Sequence, residues 1–484
     1  MKNFSNIIEL LNDSFERHGT RNAIADSMGV LTYASLKEAI HNVTQQLSSA
    51  GIGKGDRVGI DCDGRDLIII THAVIYAGAG AVAIPRSLAS KEKDSLIEKC
   101  YLTILISDTK DEHFDKMLGT INEDELCDKH LLLRREACLP PELSEEPEIK
   151  EAALIRFSSG TTGNSKGVLF TQRSLAERVT AVNEGLGIKD DDVILWMLPM
   201  AYHFIVSIML YLSYGACIAI PKDHTPQSIL AAIKNFSPSI FYATEHFYKL
   251  LLSNGKKDDL KGLRMAISTS AGLSKKTSTA FYEKFNIPIM QAYGIIEAGL
   301  LSINTDKPLE KADSVGKLIK SYEVKVLDKD NQPVAEGDFG SIFLRGPGFF
   351  DSYISEFRTR ASVCDEGWFN TGDIGRVDEE GHLFLHGRTK DVINCMGMKM
   401  FAAEIEDVLN LHPSIKESLV KAKAHSYLNE VPYAMIVLND GCPKPETVEL
   451  MTFCGKHLAP HKIPRSVDVV KELPKTGSGK IKRS

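Results

Sequence analysis

The 484-residue chain carries 64 acidic against 57 basic side chains, a formal charge of −7 with histidine neutral, and is 43% hydrophobic and 25% charged. These values exclude a small disulfide-stapled scaffold, a disordered or collagen-like chain and a coiled coil; at roughly 100–200 residues per domain they predict two to four domains, each with its own core. The acidic balance also argues against nucleic acid as a partner, since polyphosphate backbones are held by a basic excess.

Along the chain, the first segment, MKNFSNIIELLNDSFERHGT, mixes apolar and charged residues and lacks the long apolar core of a signal peptide. Strand-length apolar runs then alternate with amphipathic stretches, at Arg57–Asp61, Tyr101–Ser107, Ala216–Ile220 and Ser239–Tyr242. The apolar run Leu67–Pro85 is long enough to cross a bilayer, but His72, two glycines and the closing proline divide it into a helix and a strand. Val193–Pro221 is nearly uncharged, yet Pro199, His203, Ser207, Ser213 and Gly215 interrupt it, so it reads as buried core rather than a membrane span. The acidic stretch Leu139–Glu151 reads as a solvated loop. After about Ser314 the texture changes to short strands with tight turns. Beyond Lys390 it becomes helix (Ala402–Leu411), strand, strand, helix (Glu446–His457). The expected architecture is α/β: a large N-terminal domain, 1–389, of α/β layers plus a small barrel-like antiparallel unit, followed by a small mobile C-terminal α+β domain, 390–484. Nine scattered cysteines with no CxxC pair and no clustered histidines argue against zinc or a disulfide framework and for a reducing cytoplasm.

The strongest chemical signal is RFSSGTTGNSKGVLF, Arg156–Phe170. The small residues Ser158, Ser159, Gly160, Thr161, Thr162 and Gly163 let consecutive backbone N–H groups converge on an anion, with hydroxyls as further donors and Lys166 as the cation. Such a loop suits a polyphosphate. It is not a Walker A loop, because two residues separate Gly163 from Lys166 and no Ser or Thr follows that lysine. An ordinary polar loop between strands is the plain alternative.

Further segments follow in fixed order: LTYASL (31–36), GAGAVAIP (78–85), LPMAYHF (198–204), STSAGLS (268–274), QAYGIIEAG (291–299), NTGDIGRVDEEGHLFLHGRTKDVINCMGMKMFAAEIE (370–406) and PKTGSGKIKR (474–483). Together they resemble, over nearly the whole length, the AMP-forming adenylate-forming superfamily of acyl-CoA synthetases, luciferases and carrier-protein adenylation domains. The resemblance implies ATP-dependent activation of a carboxylic acid to an acyl adenylate, with release of pyrophosphate and then transfer to a thiol. It implies that the 158–163 loop and Lys166 hold the β- and γ-phosphates and that Glu297 is the Mg²⁺ partner. By the same resemblance Tyr293, beside Gly294, is expected to stack on adenine against a wall of Ser270 and Ala271, Asp373 to accept from the ribose hydroxyls and Arg388 to contact ribose or phosphate. Lys480 is expected to be the lysine of adenylation, and Lys390 the hinge about which the small domain rotates. Each has a plainer reading: Glu297 as a surface carboxylate, Tyr293 as core packing, Asp373 as a turn cap, and Lys480 as part of a solvated basic tail with Lys475, Lys482 and Arg483.

Three positions depart from the family pattern. Ile296 replaces a threonine whose hydroxyl meets the α-phosphate, Ser165 replaces a proline before the loop lysine, and Ala403 replaces a proline before EIE. His203 stands where amino-acid adenylation domains carry an aspartate for the α-ammonium, and a buried unpaired ammonium is costly. With Tyr202, Phe204, Tyr242 and Leu300 as further pocket residues, the expected substrate is a fatty or otherwise apolar carboxylic acid. The motifs end at the chain's own end with no carrier domain, so the acceptor is expected from another molecule: coenzyme A, or the phosphopantetheine of a separate acyl carrier protein. A stand-alone amino-acid adenylation enzyme, a non-catalytic nucleotide-binding homologue and a luciferase-like oxygenase are the alternatives.

Overall fold

The computed structural model describes residues 4–109, 124–126, 130–134, 139–157, 166–270, 272–395, 398–425, 427–475 and 481–483, and strands and partners are counted among these. The chain divides into two compact units, one of residues 1–158, 166–323 and 345–367, the other built chiefly of 324–344 and 368–484. The first corresponds to the α/β layers read from the sequence. The antiparallel hairpins after Ser314 form a sheet of their own and belong to the second of these compact units.

The larger unit contains two nine-stranded sheets. One runs, in spatial order, Lys317–Leu318, Gly299–Ile303, Ile289–Ile295, Met265–Ser268, Ile240–Ala243, Val193–Trp196, Cys217–Ala219, Asn22–Asp26 and Gly29–Thr32. From Ile289–Ile295 to Asn22–Asp26 its strands are parallel, and the edges are antiparallel. The crossovers Pro226–Phe236, Glu245–Asn254 and Lys275–Phe285 are helical, as parallel neighbours require. Sequence sets their ends: Thr225 caps the N–H of Ser228 ahead of Pro226, and Ser237 closes the helix in a left-handed conformation, φ 46°. Ile229, Ile233, Phe281 and Phe285 from these helices bury against Leu195, Phe241 and Ala266 of the sheet.

The second sheet is ordered Arg358–Thr359, Ser352–Tyr353, Gly167–Thr171, Ala152–Phe157, Gly80–Ala83, Arg57–Asp61, Ile104–Ser107, His130–Arg134 and Asp124–Leu126. The run Leu67–Pro85 is here a helix, Gly64–Tyr76, followed by the strand Gly80–Ala83. Among the described residues no helix is long and apolar enough to cross a membrane.

The smaller unit holds a four-stranded antiparallel sheet, ordered Glu323–Leu327, Gly340–Arg345, Phe369–Val377, Leu383–Arg388. It also holds a five-stranded sheet in which Asn429–Leu438 is flanked by Val392–Cys395, Ile415–His425 and Ser466–Val469. Helices Ala402–Leu409 and Thr447–Gly455, each slightly shorter than expected, pack Ile405, Leu409, Leu450 and Cys454 against Val420 and Ile436. All the cysteines described are free.

Candidate active site

The strand Ile289–Ile295 reverses at Ile296–Ala298 into the antiparallel strand Gly299–Ile303, which places Glu297 at the tip of a tight turn. The turn tolerates no Cβ at Gly294, which would stand 2.3 Å from the Gly299 carbonyl oxygen. Its carbonyls are tied down from outside. The Phe350 N–H donates to the Glu297 carbonyl at 2.7 Å. The fully buried Arg178, on the helix Gln172–Leu186, donates to the carbonyls of Ile296 at 3.2 Å, of Gly348 at 2.8 Å and of Glu297, with its guanidinium 4.2 Å from the centre of the Phe170 ring. Gly348 adopts φ 65° and passes so close to the backbone of Arg178 that a Cβ would lie 2.4 Å from it. One buried cation therefore fixes the backbone on both sides of the candidate metal-binding carboxylate.

The carboxylate itself is oriented by Tyr353, whose hydroxyl donates to Glu297 Oε1 at 2.9 Å. Burial, then the Glu297 charge, push the Tyr353 phenol well above its ordinary range, so the phenol keeps its proton. The ammonium of Lys166 sits 4.8 Å from the centre of the same ring. Arg156, on the strand that leads into the Ser/Gly/Thr loop, is buried, and its Nε–H has no partner among the described residues. Burial and then the neighbouring Arg178 lower its guanidinium to about 9, and burial brings Arg178 to about 10, so both remain cations near neutral pH. Asp351 is turned away, accepting from Thr171 N at 2.7 Å and Ser174 Oγ at 2.6 Å. Arg156 and Arg178 lie near enough to act on the Glu297 charge and Lys166 reaches it through Tyr353, so the carboxylate stands in a positive surrounding in which Arg178 is already committed to backbone carbonyls.

No group of three or more His, Cys, Asp or Glu side chains among the described residues forms a cation cage. A lone oriented carboxylate fits an ion kept mainly by water and phosphate oxygens, as Mg²⁺ is. The proposed adenine side also has spare hydrogen-bonding capacity. Ser270 adopts φ 73° and its buried hydroxyl lacks a partner among the described residues, as do those of Ser268 and of Ser302, which lies opposite Tyr293 in the antiparallel pair. Buried hydroxyls left without partners carry a desolvation cost that a bound polar ligand would relieve. Tyr293 is itself buried. Residues 158–163, Ala271 and Lys480 lie outside the described residues.

The five residues expected to line the acid pocket divide into groups. His203, at the end of the short helix Met200–His203, meets Trp196 edge-on at 6.2 Å, and Tyr242 stacks on the same indole at 5.5 Å and 25°. Trp196 and Tyr242 are register partners on adjacent parallel strands. A π-helical turn, Ile205–Met209, begins one residue beyond His203, after Phe204, a deformation that is common at functional sites. Tyr202 instead has its hydroxyl hydrogen-bonded to Ser87, and Phe204 packs on the buried His72 at 5.4 Å. Leu300 lies across the pair from Gly294.

In the smaller unit the Asp373 carboxylate accepts from Arg388 Nε at 3.0 Å, and the two are partners across the strands Phe369–Val377 and Leu383–Arg388. Lys390 lies exposed in a 3₁₀ turn, Thr389–Asp391. The described residues on either side of 476–480 are held in place. Lys475 and Ile481, flanking the segment that carries Lys480, form an antiparallel bridge, Lys475 pairs with Glu417 at 3.0 Å, and Arg483 grips Glu406 through two bonds of 2.8 and 2.7 Å.

Arg178, Tyr353 and Trp196 were not singled out from the sequence. A signal existed for Arg178, a charge within the apolar stripe Leu175, Val179, Val182, Leu186 of its helix. Tyr353 offered none, since it meets Glu297 from 56 positions away.

The chain matches the family model of AMP-binding enzymes over residues 11–354 and that of the AMP-binding enzyme C-terminal domain over 404–480. Among curated proteins it is similar to a 2-succinylbenzoate–CoA ligase of Bacillus cytotoxicus, 29% identical over 96% of this chain and 94% of that one. A crotonobetaine/carnitine–CoA ligase of Salmonella paratyphi A is 26% identical over 98% of each. Among solved structures, an O-succinylbenzoate coenzyme A synthetase from Bacillus subtilis in complex with AMP superposes with a TM-score of 0.85 at 26% identity, covering 98% of this chain and 97% of that one. The amide bond synthetase McbA from Marinactinospora thermotolerans shares the fold, with a TM-score of 0.84 at 22% identity over 98% of each chain. The chain belongs to the AMP-binding enzyme family and is an AMP-forming acid–thiol ligase.

Proposed function

We propose that the protein activates an aromatic carboxylic acid and transfers it to coenzyme A. The contact that carries the catalytic part of this reading is Tyr353, joined to both Lys166 and Glu297. In the first half-reaction an acid oxygen attacks the α-phosphorus of ATP, the bond to the bridging oxygen of pyrophosphate breaks, and an acyl adenylate forms. Lys166, with Ser158, Ser159, Gly160, Thr161, Thr162 and Gly163, holds the leaving phosphates. Tyr293, Gly294, Ser270 and Ala271 hold the base, Asp373 and Arg388 the ribose. Lys480 meets the carboxylate and the bridging oxygen as charge develops. Glu297 would hold Mg²⁺, which when bound neutralises phosphate charge. In the second half-reaction a thiol sulfur attacks the acyl carbon and AMP leaves, after Lys390 has served as the hinge between 1–389 and 390–484.

The fatty-acid expectation gives way to an aromatic one for two reasons. Trp196, Tyr242 and His203 supply flat ring faces and edges, which suit a planar acid better than a long flexible chain. One relative's name specifies 2-succinylbenzoate, which carries an aromatic ring, whereas crotonobetaine and carnitine are aliphatic and support only CoA as the acceptor. Hydroxylamine trapping of the adenylate across benzoates, C8–C16 fatty acids and α-amino acids tests the reading, followed by thiol consumption with CoA or a holo-carrier protein. Preferential trapping of aromatic acids with CoA consumption is expected. Trapping confined to fatty acids or amino acids, or transfer to the carrier alone, contradicts it.

A further inference from the structure

We infer that Tyr353 is a positioning residue that couples the metal-binding carboxylate to the phosphate-binding lysine, its hydroxyl setting Glu297 and its ring setting Lys166. The inference rests on the roles proposed above for those two residues. Tyr353 is 3% exposed and lies on the two-residue strand Ser352–Tyr353, paired with Val168 on the strand that begins immediately after Lys166. Its backbone surroundings are pinned at both ends, by Asp351 N donating to Leu169 O and Ile354 N to Gly167 O, each at 2.9 Å. The ring is therefore fixed relative to the backbone bearing the lysine. A planar phenol held there offers two unlike contacts at once: an O–H donor in the ring plane, 2.9 Å from Glu297 Oε1, and a π-face 4.8 Å from the Lys166 ammonium. Glu297 and Lys166 are 131 positions apart in sequence, and this side chain touches both. Movement of either group would be felt by the other through the ring, so that metal and triphosphate binding become coupled.

The two contacts are separable by substitution. Tyr353→Phe removes the hydroxyl and keeps the ring; Tyr353→Leu removes both. Outer-shell partners of metal-binding carboxylates are typically worth 10–100-fold. Tyr353→Phe should accordingly raise the Mg²⁺ concentration for half-maximal ATP–pyrophosphate exchange about 10-fold. It should weaken calorimetric binding of ATP in the presence of Mg²⁺ but not in its absence. Tyr353→Leu should in addition raise the KM for ATP about 3-fold, the value of an exposed to half-buried cation–π contact. In a Glu297→Gln background, Tyr353→Phe should produce no further change in the Mg²⁺ requirement. If Glu297→Gln raises that requirement while Tyr353→Phe leaves it at the parent value, the inference is wrong and the reading beneath it stands. If Glu297→Gln leaves it unchanged, the reading beneath fails and the inference with it.

Discussion

The turn bearing Glu297 and the described residues Ile481–Arg483 are each held by an arginine, but in opposite ways. Arg178 is completely buried and spends its donors on three backbone carbonyls from two separate loops. Arg483 is a quarter exposed and forks onto the carboxylate of Glu406, which also accepts from the N–H of Val420, with Asp391 a second carboxylate 3.6 Å from its Nε. The first arrangement makes the backbone geometry part of the core. The second attaches a chain end to a finished domain. A buried cation hydrogen-bonded to backbone carbonyls is costly to disturb, whereas a partly exposed fork contributes less and is weakened by salt.

The comparison is broken most severely by Arg178→Met, which removes the Arg178 donor from the Ile296 and Gly348 carbonyls and leaves the Glu297 carbonyl only the Phe350 N–H. At about 1.5–3 kcal/mol for hydrogen bonds to a charged group, the loss should be at least ~3 kcal/mol, read as a fall in the chemical-denaturation midpoint together with loss of exchange activity. A variant with parental stability would show that Arg178 is not structural. His72 sharpens the same contrast by pH. Burial lowers its imidazole to about 4 from the ordinary 6.5, with Nδ1 bonded to the Ile68 carbonyl and Nε2 without a partner among the described residues. The unfolded chain takes up this proton below about 6.5 and the folded chain does not, so the contribution is intact above that pH and is lost as pH falls towards 4. The slope is about 1.4 kcal/mol per pH unit, and His72→Phe should flatten it. A slope unaltered in His72→Phe would refute the assignment. The smallest stability effect belongs to Arg483→Gln: about 1 kcal/mol or less, diminished in high salt, with a larger fractional loss in adenylation than in stability. Equal losses would mean that Arg483 stabilises the domain without steadying the Lys480 segment.

Much of this molecule was readable beforehand, because its signals are local. The strand Arg57–Asp61, the helix–strand division of Leu67–Pro85 and the parallel α/β alternation follow from periodicity and from glycine and proline placement. The residues that steady the site were hidden because their partners are distant. Tyr353 belongs to a two-residue strand too short to carry a pattern, and Trp196 reads as one more apolar residue until Tyr242 is stacked on it. The hairpins after Ser314 were recognised, yet no local feature indicates which unit a self-contained antiparallel sheet will join.

The central claim, that a carboxylate is activated on ATP with Lys480 completing the site, is tested most directly by acid-dependent exchange of labelled pyrophosphate into ATP, measured for the parent and for Lys480→Ala. The account predicts exchange with an aromatic acid in the parent and a loss of about 100-fold or more in the variant, the scale of removing one charge-stabilising donor from a transition state. Equal exchange by the two proteins would contradict it.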